Sequence, residues 1–287
     1  MKNYYRSTSA TGTATAITKS LPGTIRRHFC ERQQTGNAGV HRFRVIARVS
    51  RDSLFRKPFE FCFSIIFALA LSTPLHADVG GDPGAIDLAD RMLESIGGKE
   101  LWSKIRTLYV VEKSRSEKGD GIIGEFWRDL QYPREAYTLN NRRDIVIRTW
   151  WNKQGFWQTL NGQVNHRLNP KLHQDALDYW HGEIYVMYHR LARGDDSLSL
   201  AKVDNRAFSV FDEILKRELG TFWVNDDGEL YRWRHEDGTE YIYGPHRSFG
   251  DISFPDWGTN VDGTWSFYYT EVRWSPDEPP VSFEAPR

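Results

Sequence analysis

His173, His181 and His189 are the residues whose type and spacing first suggest chemistry, because imidazoles on one helix can share a metal ion. At intervals of eight, successive rings turn by about 80° around a helix of 3.6 residues per turn. They therefore do not share one face as residues four apart would, and no His-Glu-x-x-His motif is present. Asp178 and His181, three apart, can meet as a surface pair. No metal site is expected. Gly119-Asp120-Gly121-Ile122-Ile123-Gly124 fits the dinucleotide pattern G-x-G-x-x-G, and Asp144 lies about 20 residues beyond it. That pattern needs a helix N-terminus to receive the phosphates, whereas Glu125-Phe126-Trp127-Arg128 continues as strand toward Pro133. The motif reads as a hairpin turn, and no cofactor is expected.

The acidic doublets Asp195-Asp196 and Asp226-Asp227 adjoin glycines, which solvated turns explain. No Gly-x-Ser-x-Gly elbow exists, so no catalytic set is assigned and the chain is not expected to be an enzyme. A paired-carboxylate hydrolase stays open, because its two acids can come from any two strands. Aromatic content is the stronger signal. All eleven tryptophans lie after residue 77, many in segments with strand character. Aromatic rings supply large apolar area and can line a pocket for a greasy ligand. Ordinary sheet core explains any single ring equally well, and stacking on sugars is a further reading. Trp127, Trp150, Phe156, Trp157, Trp180, Trp223 and Trp233 are the residues expected to line a hydrophobic cavity.

These rings need elements to hold them. Ile86, Ala89, Leu93 and Ile96 keep a helical period that Gly97-Gly98 stops, and a short turn over 99–105 follows. Strand character then runs through 107–114, 122–130, 135–140, 144–151 and 156–160, with Asn161-Gly162 as a two-residue hairpin turn. Residues 170–193 interrupt this with Leu172, Ala176, Leu177, Trp180, Ile184, Met187, Tyr188 and Leu191 at three- and four-residue spacings, predicting one amphipathic helix ended by Gly194. Strands resume at 197–203. Residues 207–219 fit both periods, and their first half is read as strand. Gly228 and Gly238 separate three further strands over 221–243, a looser segment spans 244–263, and a last strand at 264–274 precedes a proline-rich end. The fold class is α+β: a large curved antiparallel sheet with an N-terminal helix and a central lid or plug helix.

Residues 56–77 have the three parts of a secretory signal peptide: cationic Arg56-Lys57, an uncharged run over 61–71 and Ala77 as the small residue at the cut. The run is too short to span a bilayer. Residues 1–55 are expected to be a disordered extension or an over-extended start with translation beginning near Leu54; a transit peptide fits 1–52 less well, given the apolar run and cut that follow. Residues 78–287 are expected to form one domain. Of the 38 basic and 38 acidic residues, twelve and three precede residue 78, leaving 26 against 35 and a formal net charge of −9. Such a domain repels phosphate backbones and anionic membranes, so nucleic acid is not an expected partner. Cys30 and Cys62 both precede the cut, which leaves no disulfide, no thiol chemistry and no lipid attachment site. A free periplasmic protein is expected, with its oligomeric state open.

Residues 90–108, with Ile96-Gly97-Gly98 ending a helix, a short turn to Ile105 and a first strand at Thr107-Leu108, resemble the opening of the outer-membrane lipoprotein carriers (LolA/LolB-like). Gly155-Phe156-Trp157 before the lid-like helix, the Trp223 to Trp233 hairpin and Gly250-Asp251-Ile252-Ser253-Phe254-Pro255 fit the same layout. The resemblance implies an unclosed antiparallel β-barrel around helices, with an apolar cavity for acyl chains and no cofactor. It does not carry over a carrier's specific functional residues, for which no matching position is found. The expected function is binding or carriage of a lipid, a lipoprotein acyl chain or another hydrophobic ligand. A carbohydrate-binding module and an envelope hydrolase are the rivals, and the direction of Trp150 and Trp157 should help to separate them.

Overall fold

The computed structural model describes residues 79–116, 121–141, 145–166 and 168–286. The expected extension, signal peptide and cut after Ala77 lie outside the described residues, as do Cys30, Cys62, Asp120 and Asp144.

After β1 (Gly80–Gly81), helix α1 (Pro83–Ser95) starts at Asp82, whose Oδ1 accepts from the Gly84 and Ala85 N–H groups at 2.8 and 3.2 Å, with Pro83 at the position that lacks a needed N–H. It ends where Gly98 N donates to Leu93 O at 2.8 Å. Gly97, at φ 121°, has no room for a Cβ, which would sit 2.8 Å from Asp251 O. Helix α2 (Lys99–Lys104) buries Trp102, whose Nε1 donates back to Ile96 O at 3.0 Å. The meander β2 (Thr107–Ser116), β3 (Gly121–Asp129), β4 (Arg134–Asn141), β5 (Val146–Asn152) and β6 (Gly155–Leu160) follows, then short β7 (Gln163–Val164).

The single helix expected over 170–193 is instead two, α3 (Lys171–Gly182) and α4 (Ile184–Ala192). Glu183 between them is extended (φ −64°, ψ 132°), and its Oε2 accepts from the Tyr185 and Val186 N–H groups at 2.9 and 3.2 Å, starting α4. Gly182 lets this junction press on the sheet; a Cβ there would meet His235 Nε2 at 2.7 Å and Leu219 O at 3.0 Å. The three-residue periodicity continues across the break and hides it.

Strands β8 (Leu198–Asp204), β9 (Ala207–Asp212), β10 (Arg217–Val224), β11 (Leu230–His235) and β12 (Glu240–Tyr243) form a second meander. The ambiguous 207–219 resolves into β9, a turn and β10. Asp212 Oδ1 builds that turn by accepting from the Ile214 and Leu215 N–H groups at 2.9 and 2.8 Å. The looser segment contains β13 (His246–Phe249), β14 (Ile252–Pro255) and β15 (Trp257–Asn260) before β16 (Trp265–Ser275).

One sheet runs in the order β1-β8-β9-β10-β11-β12-β15-β16-β2-β3-β4-β5-β6-β7, and β13 pairs with β14 separately. Every ladder is antiparallel except β1 with β8. Its two ends, β1 and β7, are at opposite ends of the order, so the sheet is unclosed. The main core gathers α1, α2 and α4 against the inner face, with Trp102, Met92, Phe208 and Phe222 fully buried.

Candidate functional site

Strand alternation decides which rings meet. On the inner face Arg128, Glu135, Trp151 and Phe156 are direct cross-strand neighbours in one row. On the outer face the matching row is Tyr109, Trp127, Ala136, Trp150 and Trp157. A cavity of about 260 Å³ lies between the inner face and α3 with the start of α4. Its walls are Phe126, Tyr137, Trp151 and Phe156 on one side, Trp233, Tyr241, Tyr243, Trp265, Phe267 and Tyr269 on the other, with Leu172, Ala176, Tyr179, Ile184 and Tyr185 from the helices. Phe156 and Trp233 are eight strands apart in the sheet order, roughly 40 Å if the sheet were flat. Both line this one cavity, so the sheet curves strongly around it.

Of the seven residues expected at a cavity, the structure brings two here, Phe156 and Trp233. The other five are elsewhere. Trp127, Trp150 and Trp157 are on the outer face with Ala136, covered by Val281 and Phe283 of the C-terminal segment. That segment is tied down where Trp150 Nε1 donates to Glu284 O at 2.6 Å and Asn152 Nδ2 to Phe283 O at 2.8 Å. Trp150 and Trp157 therefore face away from the cavity, Trp150 buried and Trp157 half-buried. Trp223 is on the outer face of β10, with Arg232 and Arg234 over its ring at 4.5 and 5.6 Å. Trp180 is buried beside His181 and Arg190, and its Nε1 donates to Asp129 O at 3.0 Å. The cavity rings that sequence reasoning missed include Trp151, Trp265 and six tyrosines.

The floor of the cavity is charged. Arg128 Nε is 3.1 Å from Glu135 Oε1 and 3.6 Å from Glu183 Oε1, and the guanidinium lies over the rings of Phe126 (4.6 Å) and Tyr185 (5.2 Å). Burial works against its charge, but Glu135, Glu183 and Glu112 more than offset this and hold it protonated. Burial also pushes Glu112 up to about 7; Arg128 pulls the other way without offsetting it, and Glu135 adds repulsion. Burial raises Glu183 to about 7 as well, against Arg128 and the N–H groups of Val186 and Tyr185. Glu135 is raised by burial, with Arg128 and a hydrogen bond from Trp151 opposing. Tyr185 and Tyr269 hydroxyls are hydrogen-bonded to each other across the cavity. The site is thus an aromatic chamber with one compensated cation and carboxyls that exchange protons near neutrality.

The three helix histidines go separate ways. His173 Nε2 donates to Asn152 O at 2.7 Å, His189 Nδ1 donates to Trp102 O at 2.9 Å, and His181 stands beside Arg190. No helix among the described residues is long and apolar enough to cross a membrane.

No family model matches the chain, and no curated protein matches it. Among solved structures it is similar to a DUF1329 family protein from Desulfovibrio piger, at 11% identity over 66% of this chain and 91% of that one, with a TM-score of 0.36. It is also similar to a LolA superfamily protein from Nitrosomonas europaea, at 9% identity over 70% and 97% of the two chains, with a TM-score of 0.37. A domain from Vibrio parahaemolyticus described as an outer membrane lipoprotein-sorting protein is similar at 8% identity over 66% and 92%, with a TM-score of 0.29. These neighbours include the group that the Ile96-Gly97-Gly98 opening resembles.

Proposed function

We propose that this is a periplasmic binding or carrier protein that holds a lipid, an acyl chain or another hydrophobic ligand between the inner face of its sheet and the α3–α4 pair, which serves as its lid. The carrying observation is the 260 Å³ cavity walled mainly by aromatic and aliphatic side chains. Its size is far beyond the roughly 10–15 Å³ that one water needs. Burial of an apolar tail there contributes about 25 cal/mol per Å² before association costs. Export rests on the signal-like 56–77 segment.

Native mass spectrometry of protein purified from the periplasm, followed by solvent extraction, tests the reading. A co-purified lipid, or a mass shift on adding phospholipid or acylated peptide, is the expected result. Protein that is empty and stays empty would sink it. One observation favours a second reading, a carboxylate-pair hydrolase: Glu112 and Glu183 both titrate near 7 within the same cavity, as a general acid should. Turnover of a glycoside that is lost in both Glu112→Gln and Glu183→Gln would support it.

A further inference from the structure

We propose that a second pocket, at the C-terminal end of α4, binds a neutral sugar whose hydroxyls complete the hydrogen bonding of His189 and Arg190. This site has a different set of lining residues from the aromatic cavity, and its assignment does not rest on the hydrophobic-ligand reading. The pocket has a volume of about 610 Å³, within the usual range for small-molecule sites. It is bounded by the ends of α3 and α4, the 195–197 loop and the β3–β4 and β9–β10 turns.

Two polar groups on its lining are buried and incomplete. His189 is 5% exposed, and its Nδ1 lies 2.9 Å from Trp102 O. A carbonyl only accepts, so Nδ1 carries the proton and the neutral ring leaves Nε2 as an acceptor. Burial, helped by Arg193, lowers the proton affinity of this ring against the pull of Trp102 O and Asp129, which keeps it neutral near pH 7. Nε2 has no hydrogen-bond partner among the described residues. Arg190 is its complement. Its Nε donates to Asp195 Oδ2 at 2.7 Å, and its Nη2 donates to Ser197 Oγ at 3.0 Å and Asp212 Oδ2 at 2.7 Å. The guanidinium is thereby fixed, while the donors of Nη1 are buried without an acceptor.

A ligand that completes both groups must donate to His189 Nε2 and accept from Arg190 Nη1. A hydroxyl does either. An ionised carboxylate only accepts and an ammonium only donates, so each would leave one group unpaired. The rest of the lining favours a molecule with many hydroxyls over a single amide, because Gln131, His181 and Asp196 add further polar groups. Leu130, Trp180 and Leu215 supply apolar area for the C–H face of a sugar ring.

The test is calorimetric titration of the full chain with the methyl glycosides of glucose, galactose, mannose and N-acetylglucosamine, followed by nitrogen NMR of the protein labelled at histidine. At least one glycoside is expected to bind with a Kd below about 10 mM. Its binding should shift the His189 Nε2 resonance and leave that of His173, which is bonded to Asn152 O, in place. Arg190→Lys keeps the charge but loses the planar fork, and should weaken binding at least tenfold. The proposal is overturned if none of the four binds, if binding leaves His189 Nε2 unmoved, or if a folded Arg190→Lys binds as the wild type does. N-acetylglycine methylamide, which offers one donor and one acceptor, binding more tightly than every glycoside would assign the pocket to peptide backbone and overturn it equally. Should Arg190→Lys not fold, the wild-type affinities and the His189 resonance decide.

Discussion

Glu112 and Glu183 share one buried cation, and neither has its charge fully stabilised. For both, the folded state holds a proton to about pH 7, whereas an unfolded carboxyl releases it near 4.5. Between those values the native state binds more protons, so stability falls as pH rises through the window and levels off above about 7. The groups facing them are Arg128, Glu135, Tyr185 and Tyr269, of which only Glu135 is a further acid, and it shifts in the same direction. Asp195 and Asp212 are lowered overall, hydrogen bonds and Arg190 overcoming burial, so their stabilisation is lost only as the solution becomes strongly acid. Urea unfolding from pH 5 to 8 should therefore show declining stability in the wild type. Glu112→Gln should flatten the decline and be more stable than wild type at pH 8 by about 1 kcal/mol; parallel pH profiles for the two proteins would contradict the assignment. At this scale the sequence was legible for residue type and misleading for direction. Trp150 and Trp151 adjoin, and only one can face inward. Arg148, two residues before Trp150 on the same side, marks the outward face, and that signal pointed to Trp151. Arg128 hid the inner face of β3 in the opposite way, because a charged residue beside Trp127 reads as solvent-facing.

Among the elements, the C-terminal segment after β16 behaves as a strap over the outer row of rings. Phe283 is 5% exposed and sits under Arg134, 4.9 Å from its ring, while Thr107 Oγ1 donates to Asp277 O at 2.5 Å and Arg106 Nη2 pairs with Glu278 at 2.6 Å. Phe283→Ala removes the apolar cover of Trp150 and Ala136 and should cost about 2–3 kcal/mol, less than a central core phenylalanine. Because the strap covers the face opposite the cavity, ligand affinity should change by less than twofold while the thermal midpoint drops. A large loss of affinity with an unchanged midpoint would refute this division of the two faces. The helices and both meanders were readable because their periods are long and glycines punctuate them. The strap was not, since a proline-rich end carries no period. The break at Glu183 was equally silent: its cause is the approach of Gly182 to His235 and Leu219, residues far away in sequence.

Across the molecule, the cavity exists because β16 returns to pair with β2, joining two sequential meanders into one curved sheet. Hairpin signals revealed each meander, but nothing local encodes the long-range ladder from Trp265↔Ser116 to Ser275↔Thr107, so the antiparallel class was legible and the lining was not. Neither the sheet nor the helices alone enclose the space, which makes a residue at their junction the cleanest probe of it. Ala176 is on α3, lines the cavity and packs against the edge of the main core. Ala176→Trp directs an indole into the 260 Å³ space, where a ligand tail would lie. Overpacking costs typically about 1–3 kcal/mol where a site is already full, whereas filling an empty chamber should leave stability within about 1 kcal/mol of wild type. The expected outcome is near-native melting with ligand adducts lost from the native mass spectrum. Unchanged adducts in a folded Ala176→Trp protein would show that the ligand binds elsewhere, whereas a strongly destabilised variant that still binds would show that the chamber is packed core rather than a site.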